Sequence, residues 1–334
     1  MKFFFFYLNF LICFTKLIDK VRQDIVRKAL LDLPKRQNTD ILKMLQAMAS
    51  TKKKYSLTET ESAFFALSWI SQNIIFDCST LIADYSSKDP ATLYKEGKGG
   101  SIAYAELFTK ICQFLKVEAN TILGLKKARI LRDKEHLVKI MDFAWNSIFI
   151  DNKYYLIEIV EATGGCFFNE NYMEDKTPYS YTALIIADNF GIENLELFNR
   201  YHFPNDEKWQ LLNKTITKKQ FYSIGLLEQT FYDLNFTSIS PDLQTIRNQD
   251  EIKVKLTYDT SKISFKKENV DISAMSIYGE KVIYCTISNI NFSKGTIEFT
   301  ISGYHEIGYI TIFLDDSTKL GLIHGNLLNY EISI

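Results

Sequence analysis

The chain has 334 residues, of which 46% are hydrophobic and 24% charged, and its 39 basic and 40 acidic residues leave a formal net charge of -1. With 25 Phe, 19 Tyr and only 5 Pro, this is the composition of a globular protein that buries a core, not of a disordered or linker-dominated chain. The balanced charge speaks against nucleic acid as a partner, and the Lys52-Lys53-Lys54 triple reads as a solvated helix end or turn.

Met1-Lys2 precedes an apolar run from Phe3 to Phe14, broken only by Asn9 and followed by Lys16. The run is too short to span a bilayer, so no stable transmembrane span is expected. It fits a secretory signal, although no small-x-small cleavage pattern follows. A short membrane-associated segment and a buried first helix of a cytosolic protein are the alternatives. Localisation therefore reads as secreted or endomembrane if residues 1–16 are a signal, and as cytoplasmic otherwise. The cysteines, Cys13, Cys78, Cys112, Cys166 and Cys285, form no dense framework and no CxxC pair. Three N-x-S/T sequons stand at Asn213, Asn235 and Asn291.

Helical periodicity starts after the leader. Val21, Ile25, Ala29 and Leu33 recur over 17–33, and Pro34 stops the run. Ile41, Met44, Leu45 and Met48 mark a second helix over 39–49. Thr58, with Glu61 three residues on, reads as a capping box opening a third helix, which ends near Phe76-Asp77. Cys78 to about Lys98 reads as a loop. Gly99-Gly100 then lead into a helix with Ser101 at its mouth and Tyr104, Phe108, Ile111 and Leu115 at helical spacing. Next come the strand candidates 121–125, 137–140 and 144–150, then an Asp151-Asn152 turn and a partner strand over 154–159. From about Leu226 the pattern is almost wholly of short strands, at 252–258, 282–287, 296–302, 309–314 and 327–334.

Cysteine-dependent acyl transfer needs a thiolate at a helix N-terminus, where unpaired amides lower the thiol pKa. It also needs a His on a neighbouring strand as base and an acid to orient that His. The layout for this is present: Gly99-Gly100-Ser101 opens a helix, Phe143-Ala144-Trp145-Asn146 begins a strand, and Glu158 ends its hairpin partner. With the turn at Asp151-Asn152, positions 143 and 158 fall at diagonal distance across the ladder.

The residues at these points, with Trp69–Asp77 upstream and His202–Leu212 downstream, resemble the transglutaminase-like superfamily, kyphoscoliosis peptidase type. The resemblance covers about residues 34 to 225. It implies an α+β fold: a transglutaminase-like, papain-related cysteine protease domain over 17–225 with its N-terminal helices, after the leader at 1–16. A β-sandwich domain follows over 226–334. It places the family's nucleophile Cys on Ser101, its His on Phe143 and its Asp on Glu158, with Tyr104, Trp145 and Asn146 framing the site. Glu keeps the acid's charge. Ser needs a strong base, and Phe removes the base altogether.

Each position also has a structural reading. Ser101 suits a helix N-cap, Phe143 suits core packing, and Glu158 suits a hydrogen-bonding strand position. Cys112 reads as a buried apolar thiol, and Cys166 as a thiol in a loop near the same sheet edge. Of His136, His202, His305 and His324, only His136 precedes the Phe143 strand. No cofactor and no metal are expected. The expected function is that of a catalytically degenerate domain holding a protein partner. The alternative is an active peptidase or acyltransferase using Ser101 or Cys166.

Overall fold

The computed structural model describes residues 17–34, 36, 40–81, 89–132, 135–168, 179–185, 189–247, 249–262, 270–278, 281–305, 308–316 and 325–333. The leader at 1–16 lies outside them, as does His324. Two compact units emerge. The first comprises the chain up to Lys126, Met141–Leu195 and Pro204–Leu211; the second comprises Lys127–Ile140, Glu196–Phe203 and Leu212–Ile334.

The first unit begins with helices α1 (Gln23–Leu31), α2 (Ile41–Tyr55) and α3 (Glu59–Asn73). The expected capping box is present: Thr58 Oγ1 accepts from the Glu61 amide, and the Glu61 carboxylate accepts from the Thr58 amide. Helix α3 is buried on every side from Thr60 to Ser71, its small polar residues included, as expected of a central core helix. Its buried acid Glu61 is answered by Arg22, whose Nε and Nη2 donate at 2.5 and 2.7 Å.

The loop expected between Cys78 and Lys98 holds a helix, α4 (Pro90–Glu96), with Asp89 as N-cap and Pro90 in its first turn. Proline costs nothing there, because the first-turn amides have no intrahelical partner. Gly97 closes α4 at φ 73°, a left-handed conformation that favours glycine. Strands β1 (Ile75–Phe76) and β2 (Lys98–Gly99) then pair in parallel and lead into α5 (Ser101–Phe114).

Strands β3 (Glu118–Arg132) and β4 (Glu135–Ile150) are far longer than the short segments expected from sequence; 137–140 and 144–150 belong to one strand. The β4 turn onto β5 (Lys153–Ile157) pairs Ile150 with Lys153 and Asn146 with Ile157. Asp151 and Asn152 both have positive φ, at 52° and 62°, as a two-residue type I′ turn demands. Helix α6 (Ile159–Thr163) and strands β6 (Gly164–Phe168), β7 (Tyr179–Ala183) and β8 (Phe190–Ile192) follow. In the main sheet β8, β5, β4 and β3 lie side by side in that order, and β6 pairs with β7. A disulfide joins Cys78 to Cys166, tying the turn after β1 to β6.

The next elements are α7 (Leu195–Tyr201), β9 (His202–Pro204), α8 (Lys218–Ser223), β10 (Leu226–Leu227) and α9 (Gln229–Asp233). The C-terminal strands are β11 (Phe236–Ser240), β12 (Thr245–Arg247), β13 (Glu251–Tyr258), β14 (Val270–Tyr278), β15 (Lys281–Tyr284), β16 (Thr286–Ser293), β17 (Thr296–Ser302), β18 (Gly308–Asp316) and β19 (Gly325–Ser333). They form two sheets, one ordered β10-β19-β18-β14-β15 and the other β11-β13-β17-β16. Ile252, Val254 and Leu256 of β13 alternate inward, as period-2 patterning requires. They meet Ile297, Phe299 and Ile301 of β17 and Ile310, Ile312 and Leu314 of β18 in one core. Both sheets line that core, so this part is a β-sandwich. The sequence boundary near residue 225 falls inside the second unit's segment Leu212–Ile334.

Candidate functional site

The site is built on α5, the β4–β5 hairpin from Met141 onward and the start of α6, all in the first unit. Helix α5 begins after Gly100, whose carbonyl accepts from the Tyr104 amide at 3.1 Å. That bond makes Gly100 the N-cap and Ser101 the first helical residue, correcting the expectation that Ser101 caps the helix. Ser101 is buried, at 8% exposure. Tyr104, one turn on, is wholly buried; its hydroxyl donates to the Ile74 carbonyl at 2.7 Å and its ring meets Phe76 edge to face.

Asn146 fixes α5 to the sheet. Its buried Nδ2 donates to the Ala105 carbonyl at 2.8 Å and to Thr109 Oγ1 at 3.0 Å. Trp145 beside it is fully buried. The framing residues Tyr104, Trp145 and Asn146 thus pack the walls of this region.

Phe143 is 3% exposed, in keeping with a core position. Glu158 is completely buried, but the strand ends at Ile157. Glu158 is instead the N-cap of α6, its carboxylate accepting from the amides of Val160 and Glu161 at 3.3 Å each. This corrects the expected strand role. An acidic oxygen satisfies first-turn amides that have no other partner, and negative charge suits a helix start.

A residue that the sequence reading passed over joins these two positions. Lys126 of β3 donates from Nζ to Glu158 Oε2 at 3.0 Å and also to Glu161 Oε1. The same Nζ stands 4.4 Å from the centroid of the Phe143 ring, a cation–π contact. Burial works to discharge Lys126, but the Glu158 and Glu161 charges outweigh it and raise its pKa. Burial pushes Glu158 upward; Lys126 opposes that shift and the Glu161 charge adds to it. The inward placement of Lys126 follows the alternation of buried Ile122 and Gly124, a signal that can be read only once β3 is known to run through Lys126.

The structure therefore brings Phe143 and Glu158 together around Lys126. Ser101 stands at the start of α5, which packs against the α6 that Glu158 caps. Neither Cys112 nor Cys166 is available as a substitute. Cys166 is bonded to Cys78 and has no thiol, which overturns its reading as a replacement nucleophile. Cys112 is fully buried in α5, and burial pushes its thiol pKa far up. The side chain of His136 lies outside the described residues. His202 is buried in the second unit, stacked on Phe198 with ring centroids 4.0 Å apart. Among the described residues no group of three or more His, Cys, Asp or Glu is placed to hold a metal ion. Among them, too, no helix is long and apolar enough to cross a membrane.

The other sequence motifs have structural work. Trp69 stacks on Tyr94, Asn73 Oδ1 accepts from the Arg36 amide, and Trp209 packs edge to face on Tyr154.

Residues 46–159 match the family model of the Transglutaminase-like superfamily. The chain is similar to kyphoscoliosis peptidase of Mus musculus, 24% identical over 180 residues, which cover 54% of this chain and 26% of that protein. The Homo sapiens kyphoscoliosis peptidase is likewise 24% identical, over 184 residues. The chain thus spans about a quarter of the length of these curated relatives. Among solved structures, a putative cysteine protease from Cytophaga hutchinsonii aligns at 13% identity with a TM-score of 0.25, over 42% of this chain and 44% of that one.

Proposed function

We propose that this chain, whose residues 46–159 match the family model of the Transglutaminase-like superfamily, is a catalytically degenerate member of that superfamily that holds a protein partner. One observation carries the reading: Lys126 sits between Glu158 and Glu161 and against the Phe143 ring. A proton relay there needs a group that takes a proton from the nucleophile and returns it. Phe143 has no titratable atom. Glu158 has its carboxylate engaged by an ammonium and two backbone amides, so it has no imidazole to orient. Losing one member of such a triad costs several orders of magnitude in rate.

Two open sheet edges support the binding half of the reading. Strands β15 and β16 each end a sheet, and β15 exposes Val282 and Tyr284 at 51% and 80%. An edge strand offers unpaired amides and carbonyls to an extended segment of another chain. The partner of this reading is a protein that adds a strand at β15.

The rival reading is an active hydrolase using Ser101. Its position at the head of a 14-residue helix favours negative charge on the hydroxyl, and serine–lysine pairs do run acyl transfer on other folds. A lysine base must be neutral, however, and two carboxylates hold Lys126 protonated. The deciding experiment assays the purified full chain for amine incorporation into glutamine substrates and for peptide hydrolysis. No turnover above the uncatalysed rate is expected. Turnover that Ser101→Ala abolishes would overturn the proposal. For the binding half, Tyr284→Lys should lose a cross-linked partner that the wild-type chain retains in its native cells; retention of that partner would remove β15 from the reading.

A further inference from the structure

The three sequons differ in what the fold does with them. Asn213, Lys214 and Thr215 are all exposed and lie in irregular backbone between Leu211 and α8. Asn235 is half-buried in a left-handed turn at φ 58°. Its neighbour Phe236 is in the sandwich core, and the Thr237 hydroxyl donates to the Thr257 carbonyl at 3.3 Å. Asn291 lies within β16, in register with Glu298 of β17. Only Asn213 has its whole sequon on an exposed loop, where a large polar group displaces no ladder bond and no core side chain.

A second observation, from the other unit, concerns the compartment. Cys78 and Cys166 form a disulfide across a sequence separation of 88 residues. Structural disulfides form and persist in oxidising compartments and are rare where thiols are kept reduced. One such oxidising compartment, the lumen of the endoplasmic reticulum, is also where N-x-S/T asparagines meet oligosaccharide donors.

We propose that Asn213 carries an N-linked glycan, attached in the oxidising compartment where Cys78 and Cys166 are joined. In the transfer, Asn213 Nδ2 displaces pyrophosphate from the anomeric carbon of a lipid-linked oligosaccharide. One N–C bond forms, the C–O bond to phosphate breaks, and an amide proton is released as the lipid pyrophosphate departs. In the oxidation, the two thiols give up two protons and two electrons to a disulfide-exchanging oxidant of that compartment.

The test expresses the full chain, with its own N-terminal region, in a eukaryotic cell. The protein is then digested with peptide:N-glycosidase F and, separately, unfolded without reductant in the presence of an alkylating agent. The expected results are a glycosidase-dependent mobility shift in the wild type and no alkylation of Cys78 or Cys166. The shift should vanish in both Asn213→Gln and Thr215→Ala. Thr215→Ala destroys the sequon but leaves the asparagine, so a folding defect peculiar to one variant does not blur the result. A wild-type chain with no shift overturns the proposal. So does a shift that survives both substitutions, which would assign the glycan to Asn235 or Asn291. Full alkylation of Cys78 and Cys166 in the unreduced protein overturns it as well.

Discussion

Lys126 and Glu158 are both nearly inaccessible, with side chains 9% and 1% exposed, so each depends on the other. Lys126→Met strands a buried carboxylate, and breaking a buried pair from one side costs about 3–5 kcal/mol. Urea unfolding should register that loss, and adding Glu158→Gln should recover most of it, because two neutral groups need no counter-charge. Glu158 and Glu61 respond to pH in opposite senses. Glu158 is raised in the fold, so its contribution is full below the ordinary carboxyl range and is lost as pH rises through its folded value. Glu61 is lowered from 4.5 to about 2, chiefly by the Arg22 hydrogen bonds. Its contribution is present above about pH 4.5 and disappears as pH falls toward 2. Glu61→Gln should therefore flatten the acid limb of the stability profile between those values. Phe143 and Glu158 were legible because they sit in a recognisable frame. Lys126 was not, because its role depends on where β3 points its side chains, and the Lys126-Lys127 pair looks solvated in a one-dimensional reading.

Secondary-structure elements here follow local chemistry where that chemistry is complete. Thr58 and Glu61 declare the start of α3 in sequence, and Thr58→Ala should cost about 1 kcal/mol in chemical denaturation. Asp89-Pro90 with Gly97 announces α4 by the same logic, yet a short helix inside a polar stretch has too little apolar periodicity to be seen. The start of α6 was missed for another reason. Glu158 continues the apparent strand Tyr154–Ile157, and only its bonds to the Val160 and Glu161 amides reveal a cap. Asn146 shows the cost of joining elements with one polar side chain. Asn146→Ala leaves the buried Ala105 carbonyl and the Thr109 hydroxyl without that donor, a loss of about 1–3 kcal/mol. Thermal unfolding should detect it, while the β4–β5 hairpin, held by its turn and ladder, should persist.

On the scale of the whole molecule, an α+β part followed by strands was plain in the sequence, because helical periodicity gives way to alternation near Leu226. The apportioning of residues to two compact units was not plain, since the second unit takes Lys127–Ile140 from the middle of the first. Two consecutive stretches of sequence cannot describe such interleaving. The disulfide also escaped the sequence, because no spacing rule links cysteines 88 residues apart. Its reduction should lower stability by about 4.6 kcal/mol, the expected effect of releasing a loop of that size; denaturation with and without reductant measures it. The same separation matters while the chain is being made. At roughly 5–20 residues per second, Cys78 emerges several seconds before Cys166 and meets Cys112 first. Pairing with Cys112 would pull α5 apart, since that thiol is fully buried in the helix. Burial of Cys112 inside α5, which packs against α3, would keep that thiol away from Cys78 once these helices are in place, leaving Cys78 for Cys166.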